Sequence, residues 1–249
     1  MDEMNEKEFY EDTKNWDFSR FKIKTDKLTN WYLYKKLKKI ATKDSRILDL
    51  GTGGGEKVIK YFPKCAEILG TDYSEGMIET ANKNLKKSGR KNITFRVMDN
   101  LKMDVPDNYF DIVVARNTPS DPDQIYKCLK DGGYLLIHGV DKYDCLDFKL
   151  AFGKEPEENE AISVIDFKNV INAGFKDVEL VPIHEREYFK NELLFKAFLR
   201  KAPILQDFGE KLEDCKYYDE KILDHYIREN TYNGKIRLLR RYYGISARK

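Results

Sequence analysis

The sequence predicts a doubly wound α/β fold, a mostly parallel sheet with helices on both faces, and three observations carry that prediction. The first is the stretch Ile47-Leu48-Asp49-Leu50-Gly51-Thr52-Gly53-Gly54-Gly55-Glu56. There an apolar run of strand type reaches an acid, meets glycines at 51, 53 and 55, and continues into Glu56-Lys57-Val58-Ile59-Lys60-Tyr61-Phe62, which has the spacing of an amphipathic helix. The second is that strand and helix patterns alternate from there to residue 183, the order a parallel sheet requires. The third is Phe110 to Asn117, a near-continuous apolar strand of the kind buried on both faces of such a sheet.

Composition agrees with one large domain or one domain with an insertion. The chain has 249 residues, 41% hydrophobic and 35% charged, enough to bury a proper core. No apolar stretch approaches the ~20 residues of a membrane span, and the acidic start Met1-Asp2-Glu3 is unlike a signal peptide, so a cytoplasmic protein is expected. Cys65, Cys128, Cys145 and Cys215 are scattered, with no C-x-x-C pair, and read as buried or idle thiols rather than a zinc site or disulfide framework. A net charge of +2 supplies no general attraction to nucleic acid.

Taken in order, residues 1 to 44 form an N-terminal segment. Its first part is polar but carries Phe9, Tyr10, Trp16 and Phe18, and Leu28, Trp31, Tyr32, Leu37 and Ile40 then fit a helix with a Lys-rich outer face. Glycine at alternate positions of the 51–55 loop lets the backbone turn tightly and approach a ligand, and the helix behind it points free amide N–H groups the same way. A dinucleotide fingerprint would need glycine at 56, where Glu stands, which disfavours a nicotinamide oxidoreductase. Ile68 to Asp72 is a second strand ending in an acid. Asp72 lies 17 residues beyond Gly55, near the interval at which doubly wound folds place a carboxylate for ribose hydroxyls. Ser74 is the expected N-cap of a helix through Met77, Ile78, Ala81 and Leu85. Asn92 to Met98 alternates like a strand and ends at Asp99-Asn100. A helix over 121–130 turns at Gly132-Gly133 into a strand 134–138, and a helix 164–173 is stopped by Gly174 ahead of a strand 175–183. Residues 184 to 233 break the alternation and read as mostly helical, with apolar faces from Tyr188 to Phe208 and from Ile222 to Ile227. After the Asn233-Gly234 turn, residues 236–246 read as a last strand.

These motifs in combination resemble the class I S-adenosylmethionine-dependent methyltransferases. The resemblance rests on Asp49-x-Gly51-x-Gly53-x-Gly55, on Asp72-Tyr73-Ser74-Glu75-Gly76-Met77-Ile78, on Asp99-Asn100, and on Leu129-Lys130-Asp131-Gly132-Gly133-Tyr134-Leu135-Leu136-Ile137, and it covers roughly residues 45 to 183. It implies a Rossmann-like, mostly parallel seven-stranded sheet with an antiparallel last strand. On that reading 1–249 is a single methyltransferase domain: an N-terminal helical or lid segment 1–44, in which Trp16-Asp17-Phe18 reads equally as part of a lid or as an aromatic anchor on the domain surface, a cofactor-binding core 45–183, a helical insertion 184–233 near the active site, and a last strand 234–249. The implied cofactor is S-adenosyl-L-methionine. Asp49, Gly51, Thr52, Gly53 and Gly55 would hold its methionine part and Asp72 with Tyr73 its ribose. Asp99 and Asn100 would meet the adenine, and Arg116, at the end of its strand, would lie toward the transferred methyl.

No metal and no obligatory catalytic residue follows. His138 and His184 are candidate general bases, since imidazole titrates near neutral pH, and each also reads as a structural or surface histidine. Asn117-Thr118-Pro119-Ser120 stands where methyltransferases of nucleic-acid amino groups carry N-P-P-Y, but lacks the first Pro and the aromatic. For the acceptor, a small molecule is favoured over RNA. The basic residues at 235–241 and the group Lys83, Lys86, Lys87, Arg90, Lys91 and Arg96 suggest RNA, but strand alternation splits the former and a solvated helix face explains the latter. A non-catalytic nucleotide-binding module is the alternative of another class, and oligomeric state is left open.

Overall fold

The computed structural model describes residues 21–156, 159–202, 204–205 and 219–249. The expectations for the aromatic stretch 1–20, Trp16-Asp17-Phe18 included, and for Phe208 and Cys215 lie outside these residues. The strands are β1 (Lys24–Lys27), β2 (Arg46–Leu50), β3 (Glu67–Asp72), β4 (Ile93–Val97), β5 (Phe110–Arg116), β6 (Leu129–Val140), β7 (Lys176–Phe189), β8 (Thr231–Tyr232) and β9 (Lys235–Arg248). The helices are α1 (Leu33–Ile40), α2 (Glu56–Tyr61), α3 (Glu75–Ser88), α4 (Pro122–Cys128), α5 (Leu146–Ala151), α6 (Ile162–Asn172), α7 (Glu192–Leu199) and α8 (Glu220–Glu229). The strand order is β1-β7-β9-β6-β5-β2-β3-β4, with β8 on β9, a nine-stranded mixed sheet. It carries the expected doubly wound arrangement and two strands beyond the seven expected. Those two, β1 and β8, are short and polar, with no apolar period to betray them.

The chain divides into two compact units. The larger comprises residues 31–141, 160–182 and 242–249. In it β2, β3, β4, β5 and β6 are parallel, and the end of β9 closes antiparallel on β6, Leu136 opposite Ser246 and His138 opposite Gly244. Its core is built from the apolar strands the sequence displays: Leu48, Leu50, Val113, Ala115, Leu135 and Ile137, covered by Ile125, Val170 and Phe175. Local signals set the helix ends. Ser74 Oγ accepts from Met77 N, Asp121 accepts from Asp123 N and Gln124 N ahead of Pro122, and Gly174 takes φ +97° after α6.

The smaller unit comprises residues 1–30, 142–159 and 183–241. Its described residues bury an aromatic cluster of Phe21, Phe148, Phe189, Phe195, Phe198 and Tyr226 with Leu223, Ile236 and Leu238. Phe148 meets Phe195 and Tyr226 edge to face, at ring separations of 6.1 and 4.9 Å.

Three boundaries differ from the sequence reading. The first helix begins at Leu33 rather than Leu28, which is 53% exposed and gives its N–H to His184 O, prolonging the β1–β7 ladder. Leu129 is already paired with Phe110, so the helix expected to 130 ends at Cys128. The strand expected to stop at 183 runs to Phe189, and α7, expected to begin near 188, spans only Glu192–Leu199. There the inward face of β7 carries Ile183, Glu185, Glu187 and Phe189, and Glu187 is only 12% exposed because it pairs with Arg240 at 3.1 Å. Acids on the buried side of a strand erase the alternation by which a strand is recognised. No helix among the described residues is long and apolar enough to cross a membrane.

Candidate ligand site at the carboxyl ends of the strands

Parallel pairing brings the ends of four strands of the larger unit level with one another. Leu50 pairs with Thr71 and with Ala115, and Arg116 pairs with His138. In such sheets ligands bind beyond these carboxyl ends. The loop Gly51–Gly55 is tied down there: Thr52 N donates to Thr71 O at 2.8 Å, Gly55 N to Thr52 O at 3.1 Å, and Gly53 N to Asp72 Oδ2 at 2.9 Å.

Two glycines have opposite reasons to be glycine. At Gly51, φ is +72° and a Cβ would lie 2.6 Å from Cβ of Thr118, so the loop is closed on that side by protein. At Gly53, φ is +55° and a Cβ would have nothing within 4 Å among the described residues, so the backbone there is open with respect to them. Thr118 is held by a buried chain in which Thr71 Oγ1 donates to Asn100 Oδ1 at 3.1 Å and Asn100 Nδ2 donates to Thr118 Oγ1 at 3.0 Å. The Asn100 side-chain amide thus has both ends engaged within the protein, and the contact expected of this residue with adenine is one of its backbone N–H. Behind the loop, α2 has only six residues, so a helix dipole adds less to this site than the sequence suggested.

The acids divide by environment. Asp72 is 8% exposed and accepts from Gly53 N and Ser74 N, and burial raises its carboxyl above the usual range against those two bonds. Each carboxylate oxygen has a second lone pair, so capacity for hydroxyl donors remains. Asp49 is 5% exposed, and burial pushes its carboxyl up to about 7, with Arg116 pulling it down and the charge of Asp72 pushing it further up. Asp99 is exposed; its Oδ1 caps Leu101 N at 2.9 Å. Tyr34, which the sequence reading passed over, has its hydroxyl raised to about 12 by burial, with Arg116 and Asp49 as its charged neighbours, and stacks on Tyr61 at 4.8 Å. Tyr73 follows Asp72 and is half-buried.

His138 and Asn117 meet at the ends of β6 and β5. The His138 Nδ1 and Asn117 Oδ1 atoms are 3.0 Å apart, and Asn117 N donates to His138 O at 2.8 Å. Asn117 adopts φ +52°, a left-handed turn that Asn tolerates better than most residues. The His138 ring lies between Tyr242 (5.0 Å) and Trp31 (6.4 Å). With Asn117 Oδ1 as acceptor the proton sits on Nδ1, which places the basic lone pair on Nε2. His184 belongs to the smaller unit, with an exposed side chain and its backbone N bonded to Thr29 Oγ1 at 3.2 Å. Thr118, Tyr34, Trp31 and Tyr242 come from segments with no glycine or acid signature, so only the pairing of strands and the packing of α1 could assemble them.

Comparison with known proteins adds three findings. The family described as a methyltransferase domain matches residues 41–179, more than half of the chain. Among curated proteins, an uncharacterized methyltransferase, YcgJ, of Bacillus subtilis is 26% identical over 102 residues, covering 38% of this chain and 40% of that protein. The phosphoethanolamine N-methyltransferase of Plasmodium falciparum is 27% identical over 199 residues, covering 70% of this chain and 74% of that protein. The matches to the first three curated relatives span 40 to 45% of those relatives' length. Among solved structures, that of YcgJ superposes with a TM-score of 0.58 at 18% identity, covering 87% of this chain and 97% of that one. The Haemonchus contortus phosphoethanolamine N-methyltransferase 2 in complex with S-adenosyl-L-methionine superposes with a TM-score of 0.51 at 20% identity, covering 88% and 52%. These structural likenesses establish the Rossmann-like fold.

Proposed function

This chain belongs to the methyltransferase-domain family, and from that premise we propose that it is an S-adenosylmethionine-dependent methyltransferase acting on a small-molecule acceptor. The observation that carries the reading is the Gly53 backbone, open on its outer face and fastened to Asp72 on its inner one. A cradle a Cβ would fill, a ribose-type acid at its rim and a buried acid at its root fit this cofactor. Bound there, S-adenosylmethionine supplies a sulfonium methyl, already a strong electrophile.

The protein's part is to orient the acceptor and exclude water, and orientation of this kind supplies about 7–11 kcal/mol of a barrier. Asp72 accepts from the ribose hydroxyls with its remaining lone pairs. Asp99 Oδ2 is the acceptor for an exocyclic amine. Asp49 and Arg116 offer opposite charges to the zwitterionic methionine end. On the acceptor side His138, its tautomer set by Asn117, takes the proton from a hydroxyl or ammonium at Nε2, and Trp31 and Tyr242 hold the ring in place.

The small-molecule reading is supported by what the arginines are doing. Arg240 binds Asp144 at 2.8 Å and Glu187 at 3.1 Å, and is 14% exposed. Arg96 donates to Asp104 O. Two arginines that sequence offered to RNA phosphates are thus engaged by the protein itself. The Plasmodium relative, whose name states a small-molecule acceptor, points the same way.

The test is incubation with methyl-labelled S-adenosylmethionine and a cell extract, followed by size fractionation with and without ribonuclease. Label in the low-mass, ribonuclease-insensitive fraction is expected; label in RNA would reverse the acceptor class. A companion measurement addresses the ribose role. Asp72→Ala should weaken both S-adenosylmethionine and its demethylated product by roughly 1.5–3 kcal/mol, the scale of a hydrogen bond to a charged group. Unchanged affinity by calorimetry would remove Asp72 from that role.

A further inference from the structure

The larger unit has a second concave site, at the opposite ends of its strands. A cleft of about 610 Å³ is lined by Lys43, Lys64, Ser88, Arg90, Lys91 and Asn92 among others, with no acid among its lining residues. Lys43 precedes β2, Lys64 precedes β3, and Ser88 to Asn92 join α3 to β4. The cleft therefore sits at the amino ends of the strands, whereas Asp49, Asp72 and Asn100 stand at or just beyond the carboxyl ends. The five steps along β3 separate the two by roughly 15–20 Å at ~3.3 Å each.

Its floor is rigid. Arg90 Nη1 donates to Ile59 O (3.1 Å) and Phe62 O (3.0 Å), and Nη2 to Pro63 O (2.9 Å) and Asn92 Oδ1 (3.3 Å). Asn92 Nδ2 in turn donates to Cys65 O at 3.0 Å. The guanidinium is locked by neutral acceptors, so its charge is fixed in position and not cancelled by a carboxylate. Around it Lys43, Lys64 and Lys91 are exposed and make no ion pair with any described residue. That sets them apart from Lys36, Lys130, Lys168 and Lys196, each within 2.8 Å of an acid. Four cations converging on one cleft without a counter-charge raise each other's electrostatic cost, and a polyanion relieves it.

We propose that this cleft is a binding site for a compact polyphosphate group, remote from and additional to the cofactor site. Lysine ammonium groups are point-charge partners of phosphate oxygens, and three of them stand in one lining. Three lysines and the fixed guanidinium line one concavity, which fits a chain of a few phosphates.

The probe is inorganic tripolyphosphate, which has no adenine to enter the cofactor site. Titrated into the full chain at low salt, it should bind saturably at one site and stay bound when S-adenosylhomocysteine is added. The variant Lys43→Ala/Lys64→Ala/Lys91→Ala should bind it about tenfold more weakly or less, with S-adenosylhomocysteine affinity unchanged, three exposed pairs being lost. Lys64→Glu alone, with an unchanged melting temperature, should show the same direction. Absence of saturable binding, displacement by S-adenosylhomocysteine, or equal affinity in both variants overturns the proposal. So does an RNA hairpin that binds more tightly than tripolyphosphate and loses that affinity in the triple variant, because the face would then serve nucleic acid. None of these outcomes bears on methyl transfer at the other edge.

Discussion

Gly53→Val should abolish binding of S-adenosylmethionine and S-adenosylhomocysteine while leaving far-ultraviolet circular dichroism near that of the parent protein. Gly53 sits at φ +55°, a region where an L residue costs about 1–2 kcal/mol and a β-branched one more. The loop can meet that cost only by shifting, and Gly53 N is one of the backbone donors that hold Asp72. The added isopropyl group also projects into the space, empty of described residues to 4 Å, where the ligand would lie. Together these effects should weaken binding by at least a hundredfold, about 2.7 kcal/mol. Gly53→Ala, with the smaller side chain, should fall between. No core residue is touched, so the fold should persist. Calorimetry showing near-parental affinity in the Val variant would mean that the ligand does not lie against this loop.

Asp49→Asn should stabilise the ligand-free protein at pH 8 and weaken its cofactor binding. The folded carboxyl titrates at about 7 because of burial, against an ordinary value near 3.9 in the unfolded chain. The sign follows from proton counting. Between these two values the folded state holds a proton that the unfolded state has lost, so stability falls as pH rises through the window and is flat below and above it. Above pH 7 the buried charge costs up to roughly 4 kcal/mol, taking the interval between the two pKa values at 1.36 kcal/mol per unit. An amide at 49 avoids that cost, so the variant's melting temperature should exceed the parent's by several degrees at pH 8 and by much less at pH 5. The parent's affinity for S-adenosylmethionine should rise from pH 6 to pH 8, as Asp49 ionises toward a cationic ligand group, and the variant's should not. A melting-temperature difference that is the same at both pH values would remove Asp49 as the source.

The two variants differ in how visible their positions are in the amino-acid sequence. Gly53 stands in a pattern of acid and spaced glycines that any reader of the chain meets first, and its left-handed φ is what such a pattern exists to permit. Asp49 is equally visible as a residue, but its titration near neutrality comes from complete burial and from the balance of Arg116 against Asp72, charges 67 and 23 residues away. The same division holds across the site. Ser74 and Gly174 act through neighbours within a few residues, and local rules placed them; Asp72 caps Ser74 N locally but also holds Gly53 N, 19 residues away. Asn100 is visible as the residue after a strand-end acid, but that its side-chain amide ties Thr71 to Thr118 is not. Strand alternation already split the basic residues at 235–241 in the sequence, but only the fold shows Arg240 to be the counter-ion of Asp144 and Glu187.

By itself, the sequence determined the strands of the parallel sheet, most of the helices between them and the glycine loop, since these depend on periodicity and backbone freedom within windows of a few residues. Tertiary structure alone decided which face of β7 is inside, that His138 is paired with Asn117, and that Thr118 closes the loop behind Gly51. It also decided that three lysines gather around a locked arginine at the far edge of the sheet. The reason is that burial and charge pairing are properties of neighbours in space, and pairing parallel strands makes neighbours of residues that no local pattern connects.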